Sequence, residues 1–133
     1  MGRGGIFAVD SPGGIYAVVV DDDKERRLLV AGILRYCGAL VTPVETLDAA
    51  IAVMQLLKPD VVITDFSSPD EVGLPLIRRL RSLKPDEGGT IGTVAIGDGE
   101  HAEIARLNGY DAYVAKPLDP WDLCRVVTTL LNN

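Results

Sequence analysis

The stretch Tyr16–Arg26, YAVVVDDDKER, joins an apolar, largely β-branched run to three adjacent aspartates and then to a charged segment. A continuous run of this kind, bounded by polar residues, fits a strand buried on both faces. Beyond it, Val30, Ile33, Leu34 and Cys37 recur at the spacing of one helix face. The carboxylates between the two elements pose a physical problem. Two carboxylates about 4 Å apart repel by roughly 4 kcal/mol at an effective dielectric near 20, so something must hold the three together.

The alternation continues outward from this stretch. Apolar runs predict strands at Ile15–Val20, Leu40–Val44, Val61–Thr64, Thr93–Ile96 and Ala112–Ala115. Pro43 assigns the second of these to a sheet edge, where a missing N–H is tolerated. Helical stripes follow as Ala50, Val53, Met54 and Leu57, then Leu76, Ile77, Leu80 and Leu83, and finally Leu123, Val126, Val127 and Leu130. The segment Glu100–Asn108 carries only Ile104 and Leu107 as large apolar residues and predicts a short helix. Gly38 and Gly109 stand where helices stop, Thr46 and Asp119 at N-cap positions, and Pro120 in a first helical turn. Five strand-then-helix units with right-handed crossovers give a doubly wound α/β domain: a parallel sheet with helices on both faces.

The chain has 133 residues, enough for one domain, assigned to residues 15–133, with the Gly-rich lead 1–14 read as a linker or appended segment. Thirteen basic residues against nineteen acidic ones give a net charge of −6, which argues against direct nucleic-acid or anionic-membrane binding and favours cations. Cys37 and Cys124 read as buried thiols in a reducing compartment, and the apolar runs are too short to span a membrane. A cytoplasmic location is expected.

In a doubly wound sheet, ligands gather beyond the carboxyl ends of the strands. Asp21, Asp22 and Asp23 follow the first strand, Asp65 the third, and Lys116 with Pro117 the fifth. An Asp run before a helix can serve only as a cap, but capping does not explain charges at three strand ends. A hard divalent ion such as Mg²⁺ would relieve the carboxylate repulsion and recruit a phosphoryl oxygen. Lys116 would neutralise a second oxygen, leaving Asp65 as a nucleophile that forms an acyl phosphate. His101 reads as a surface residue, Trp121 as packing at the start of the last helix, and Arg78–Arg81 as a solvated face.

These residues make the chain resemble the receiver domain of two-component response regulators, from about Ile15 to Leu131. VVVDDD resembles the family's acidic pair, at Asp21 and Asp22. PDVVITDFSSPDEVGLPLIRRLR resembles the phosphoacceptor segment, with the acceptor at Asp65, a turn proline at Pro69 and a turn glycine at Gly73. YVAKP resembles the last strand, with Tyr113 at the aromatic switch position, Lys116 as the phosphoryl-contacting lysine and Pro117 after a cis bond. The resemblance implies a flavodoxin-like strand order 2-1-3-4-5. It also implies Mg²⁺ bound by Asp21, Asp22, Asp65 and the Ser67 backbone carbonyl, and a histidine kinase or phosphotransfer domain as partner. The stretches LKPDEGGTIGTVAIGDGEH and KPLDPWDL look most like the C-terminal receivers of hybrid sensor kinases.

The pattern departs from the family at one place. Where receivers carry a Ser or Thr after the fourth strand, TVAIGDG has Gly97 followed by Asp98, so the switch hydroxyl is missing. Phosphorylation chemistry is expected while the usual readout is not. Three other functions share features with this sequence. A phosphate-independent interaction module fits Gly97. A haloacid-dehalogenase-like phosphatase would use Asp21 and Asp23 as its DxD pair, and a flavodoxin-like carrier would need a phosphate-cradling loop where the carboxylates stand.

Overall fold

A computed structural model describes residues 14–132, so positions 1–13 of the expected lead lie outside the described residues. In chain order the elements are β1 (Tyr16–Val20), α1 (Lys24–Tyr36), β2 (Leu40–Val44), α2 (Leu47–Leu57), β3 (Val61–Asp65), α3 (Leu74–Arg81), β4 (Gly92–Gly97), α4 (Ala102–Leu107), β5 (Ala112–Ala115) and α5 (Pro120–Leu131). The strands pair in parallel in the order β2-β1-β3-β4-β5, with the Pro43 strand at an edge as expected. Because side chains alternate across a strand, Ala17 and Val19 of β1 join Val30, Leu34, Leu123 and Val127 of α1 and α5 on one face of the sheet. Val18 and Val20 meet Ala50, Ile51, Leu76 and Leu80 of α2 and α3 on the other. The all-apolar reading of β1 is thereby explained: both of its faces are covered.

Local signals place the turns. Asp23, Thr46 and Asp119 cap α1, α2 and α5 through their side chains, and Gly38 and Gly109 take φ of 103° and 110° after the helices that precede them. A π turn, Pro69–Gly73, leads into α3. A Cβ on Gly73 would stand 2.3 Å from the Phe66 ring, so the close packing of this turn on the end of β3 requires glycine. The weak stripe at 100–108 forms a 3-10 turn, Gly99–His101, and then the short α4.

Two expectations are corrected. Cys37 and Cys124 are not separate thiols but a disulfide joining the end of α1 to α5, with Cα atoms 6.6 Å apart; both residues lie on inward stripes that meet, a proximity that sequence spacing does not report. Within RRLR, Arg78 and Arg79 are exposed, but Arg81 turns inward. Its guanidinium donates to the carbonyls of Gly89, Ile91 and Gly109, to Thr93 Oγ1 and to Asp111. It ties the end of α3 to the amino ends of β4 and β5, opposite the functional end of the sheet.

Replacing Arg81 leaves those carbonyls without their charged donor. Arg81→Met should therefore lower unfolding free energy by about 2–3 kcal/mol in urea titrations, whereas Arg78→Met should change it by less than about 0.5 kcal/mol.

Candidate functional site

The three aspartates after β1 have three different fates. Asp21 is 3% exposed, and both of its oxygens are bonded by one side chain: Arg26 Nε donates to Oδ2 and Nη2 to Oδ1, each at 3.0 Å. Its backbone carbonyl accepts from Arg27 Nη1 at 2.8 Å. Asp22 is exposed, 3.7 Å from the Arg26 guanidinium. Asp23 is the N-cap of α1, its side chain accepting from the Arg26 amide, a bond that holds its carboxyl below the usual range. The capping account is thus right for one of the three.

Across the sheet, β3 delivers Asp65 to the same pocket. Lys116 Nζ stands 2.8 Å from Asp65 Oδ2, the Ser67 amide donates to Oδ1 at 2.8 Å, and Lys116 also donates to Ser67 Oγ at 2.8 Å. Arg26 Nε lies 3.6 Å from Oδ2. Burial pushes the Asp65 carboxyl up, but the bonds from Lys116 and Ser67 outweigh it and hold the group below the usual carboxylate range. Asp65 is therefore an ionised, directed carboxylate, 4% exposed beneath two cations. The Lys116–Pro117 peptide is cis, as the family resemblance implied.

The structure brings together Asp21, Asp22, Asp65, Ser67 and Lys116. It adds Arg26, which the sequence reading passed over. The signal was present in DDDKER: Arg26 lies four residues after Asp22 and three after Asp23, one helical turn on and able to reach back. Its pairing with Asp21 makes the guanidinium still harder to deprotonate. The carboxylates are oxygen donors of the kind magnesium takes, yet as arranged they do not fit the ion: among the described residues no three of them converge closely enough to hold a metal, and the Arg26 guanidinium sits on both oxygens of Asp21.

The switch corner lies beside this pocket. Gly97 ends β4, and Tyr113 on β5 turns its ring over it, donating from its hydroxyl to the Asp98 carbonyl at 2.5 Å. A Cβ on residue 97 would stand 2.6 Å from the Tyr113 oxygen. The Tyr113 ring packs edge-on against buried Phe66, with centroids 6.3 Å apart. Burial, then the charges of Asp98 and Asp65, push its hydroxyl pKa up. His101, expected on the surface, is half-buried with its ring edge-on to Phe66. Trp121 does pack at the start of α5, against Tyr36.

A carboxyl whose pKa is depressed in the folded protein contributes stability above its ordinary pKa, near 3.9, and loses it as pH falls through the folded value. Stability should consequently fall more steeply below about pH 4 in the native chain than in Asp65→Asn. Chemical denaturation at several acid pH values measures the difference.

Comparison with known proteins agrees with this geometry. The family model of the response regulator receiver domain matches residues 17–128. An uncharacterised 14.6 kDa protein of Leptolyngbya boryana is 32% identical over 111 residues, which cover 83% of this chain and 85% of the relative. The probable transcriptional regulatory protein TcrX of Mycobacterium tuberculosis is 36% identical over 77% of this chain but only 44% of its own length. The virulence sensor protein BvgS of Bordetella pertussis is 34% identical over 76% of this chain and 9% of its own. Among solved structures, NtrX from Brucella abortus superposes with a TM-score of 0.76 at 30% identity, over 89% of this chain and 26% of that one. Vibrio cholerae CheY4 shares the fold with a TM-score of 0.76 at 21% identity, over 89% of this chain and 99% of that one. The chain belongs to the receiver domain family of two-component response regulators.

Proposed function

We propose that this receiver takes a phosphoryl group from the phosphohistidine of a kinase or phosphotransfer domain onto Asp65. The observation that carries this reading is the Asp65 carboxylate, kept ionised by Lys116 and the Ser67 amide at the carboxyl end of β3. An Asp65 oxygen attacks phosphorus, the P–N bond breaks, and its electron pair leaves on the imidazole nitrogen. The product is an aspartyl phosphate. Lys116 meets the charge that spreads over the phosphoryl oxygens.

A protein donor is favoured by an exposed apolar surface on α1, the helix that starts at the pocket. Leu28, Leu29, Tyr36 and Trp121 are large apolar residues exposed by 47%, 59%, 77% and 50%, and they form one groove between α1 and the start of α5. Apolar area of this kind on the helix that leaves the acceptor pocket suits a helical partner that carries the phosphohistidine. A cytoplasmic location goes with such a donor.

The switch reading is phosphate-independent at Tyr113. A receiver with Ser or Thr at position 97 gains a hydrogen bond to the phosphoryl group, worth about 1.5–3 kcal/mol. Gly97 cannot make it, and the Tyr113 hydroxyl already fills the space where that side chain would begin. Phosphorylation then marks Asp65 without having to recruit the aromatic ring.

Treatment with a small phosphodonor should give one acid-stable, base-labile adduct by intact mass, absent in Asp65→Asn. Labelling that survives in Asp65→Asn removes Asp65 as the acceptor. At the switch corner, Gly97→Thr should push Tyr113 outward and change its NMR environment. In the native chain a phosphoryl mimic such as beryllofluoride should shift Tyr113 only slightly. A large mimic-dependent shift of Tyr113 in the native chain would contradict the constitutive placement.

A further inference from the structure

We propose that Arg26 is a resident cation of the acidic pocket, excluding a divalent ion from Asp21 until the guanidinium withdraws to solvent. The inference rests on reading Asp21, Asp22 and Asp65 as the phosphoacceptor pocket, but its readout is metal affinity rather than phosphoryl acceptance.

Four carboxylates stand within ion-pair distance of this guanidinium: Asp21 at 3.0 Å, Asp65 at 3.6 Å, Asp22 at 3.7 Å and Asp23 at 3.8 Å. Only one of these contacts is bidentate, and it is to the buried member of the group. A fork-to-fork pair of this kind is a strong, directional contact, and it uses the two oxygens from which a metal would have to draw its ligand. A magnesium ion demands near-ideal octahedral geometry at about 2.0–2.1 Å from oxygen. An ion at that distance from Asp21 would set a divalent charge against the guanidinium bonded to the same carboxylate, so the two cations compete for it.

The route out is visible as well. Arg26 is on the first turn of α1 and its side chain is 38% exposed, so it can swing into water without unfolding the helix. Asp22 is 58% exposed and available to an incoming ion. Arg27, which bonds the Asp21 carbonyl rather than the carboxylate, does not compete. The cost of metal binding therefore includes breaking the Arg26–Asp21 pair, and this chain should bind magnesium more weakly than a receiver with an apolar residue at position 26.

Magnesium titration of the metal-free chain by calorimetry provides the test, with Arg26→Met and Arg27→Met compared. Arg26→Met should bind Mg²⁺ about 10- to 150-fold more tightly than the native chain, the equilibrium equivalent of one charge-assisted contact released. Arg27→Met should bind like the native chain. Equal affinity in the native and Arg26→Met proteins, or no binding to either, overturns the proposal. A second measurement needs no variant, should Arg26→Met fail to fold. In the native chain without metal, the Arg26 Nε–H should give an exchange-protected NMR resonance, and protection should disappear in step with any magnesium bound. An unprotected resonance without metal, or one that stays protected with metal bound, overturns it equally.

Discussion

The Arg26–Asp21 pair is the constraint on which the rest of the site depends. It lies at the junction of β1 and α1, where the chain must turn with three negative charges in succession. Without a cation there, the buried Asp21 would face Asp65 across the neighbouring strand uncompensated, and burial of an unpaired charge is among the costliest single defects a fold can carry. Arg26 answers this from within the same helix that Asp23 caps. Capping, charge compensation and the start of α1 are therefore one local structure. Lys116 does the same for Asp65 from the far side of the sheet. Each buried carboxylate of the pocket thus has its own cation.

This arrangement follows from topology. In the order β2-β1-β3-β4-β5, β1 and β3 are neighbours, so their carboxyl ends deliver Asp21 and Asp65 side by side. β4 and β5 add Gly97 and Tyr113 next to them, again through direct pairing, with Gly97 opposite Ala115 in register. The opposite end of the sheet has its own charged clamp, Arg81 with Asp111 and Thr93. Chemistry is thereby concentrated at one end and fastening at the other, with the apolar core residues of β1, β3 and β4 between them.

Much of this was legible in the sequence because the signals were periodic or terminal. β1 and α1 could be read from the switch of period after Val20, β2 and its edge position from Pro43, and the ends of α1 and α4 from Gly38 and Gly109. Strand-end charges placed Asp21, Asp65 and Lys116 in one pocket without any coordinates. What escaped were side chains whose direction depends on tertiary neighbours. Arg81 lies in a stretch that reads as a solvated face and Arg26 in one read only for its aspartates, yet both reach inward because long guanidinium stems can bring a charge to a buried acceptor. The Cys37–Cys124 bond and the seating of Tyr113 over Gly97 likewise depend on how α1 meets α5 and how β4 pairs with β5. A glycine in a sequence reports a missing hydroxyl; only the packing shows what fills its place.

The central claim is that the acidic pocket of this receiver is neutralised internally. The most direct measurement is a high-resolution crystal structure of the metal-free chain. The guanidinium of Arg26 should be found bonded to both oxygens of Asp21 and beside Asp65. An Arg26 side chain extended into solvent, with the Asp21 carboxylate facing only water, would contradict the account.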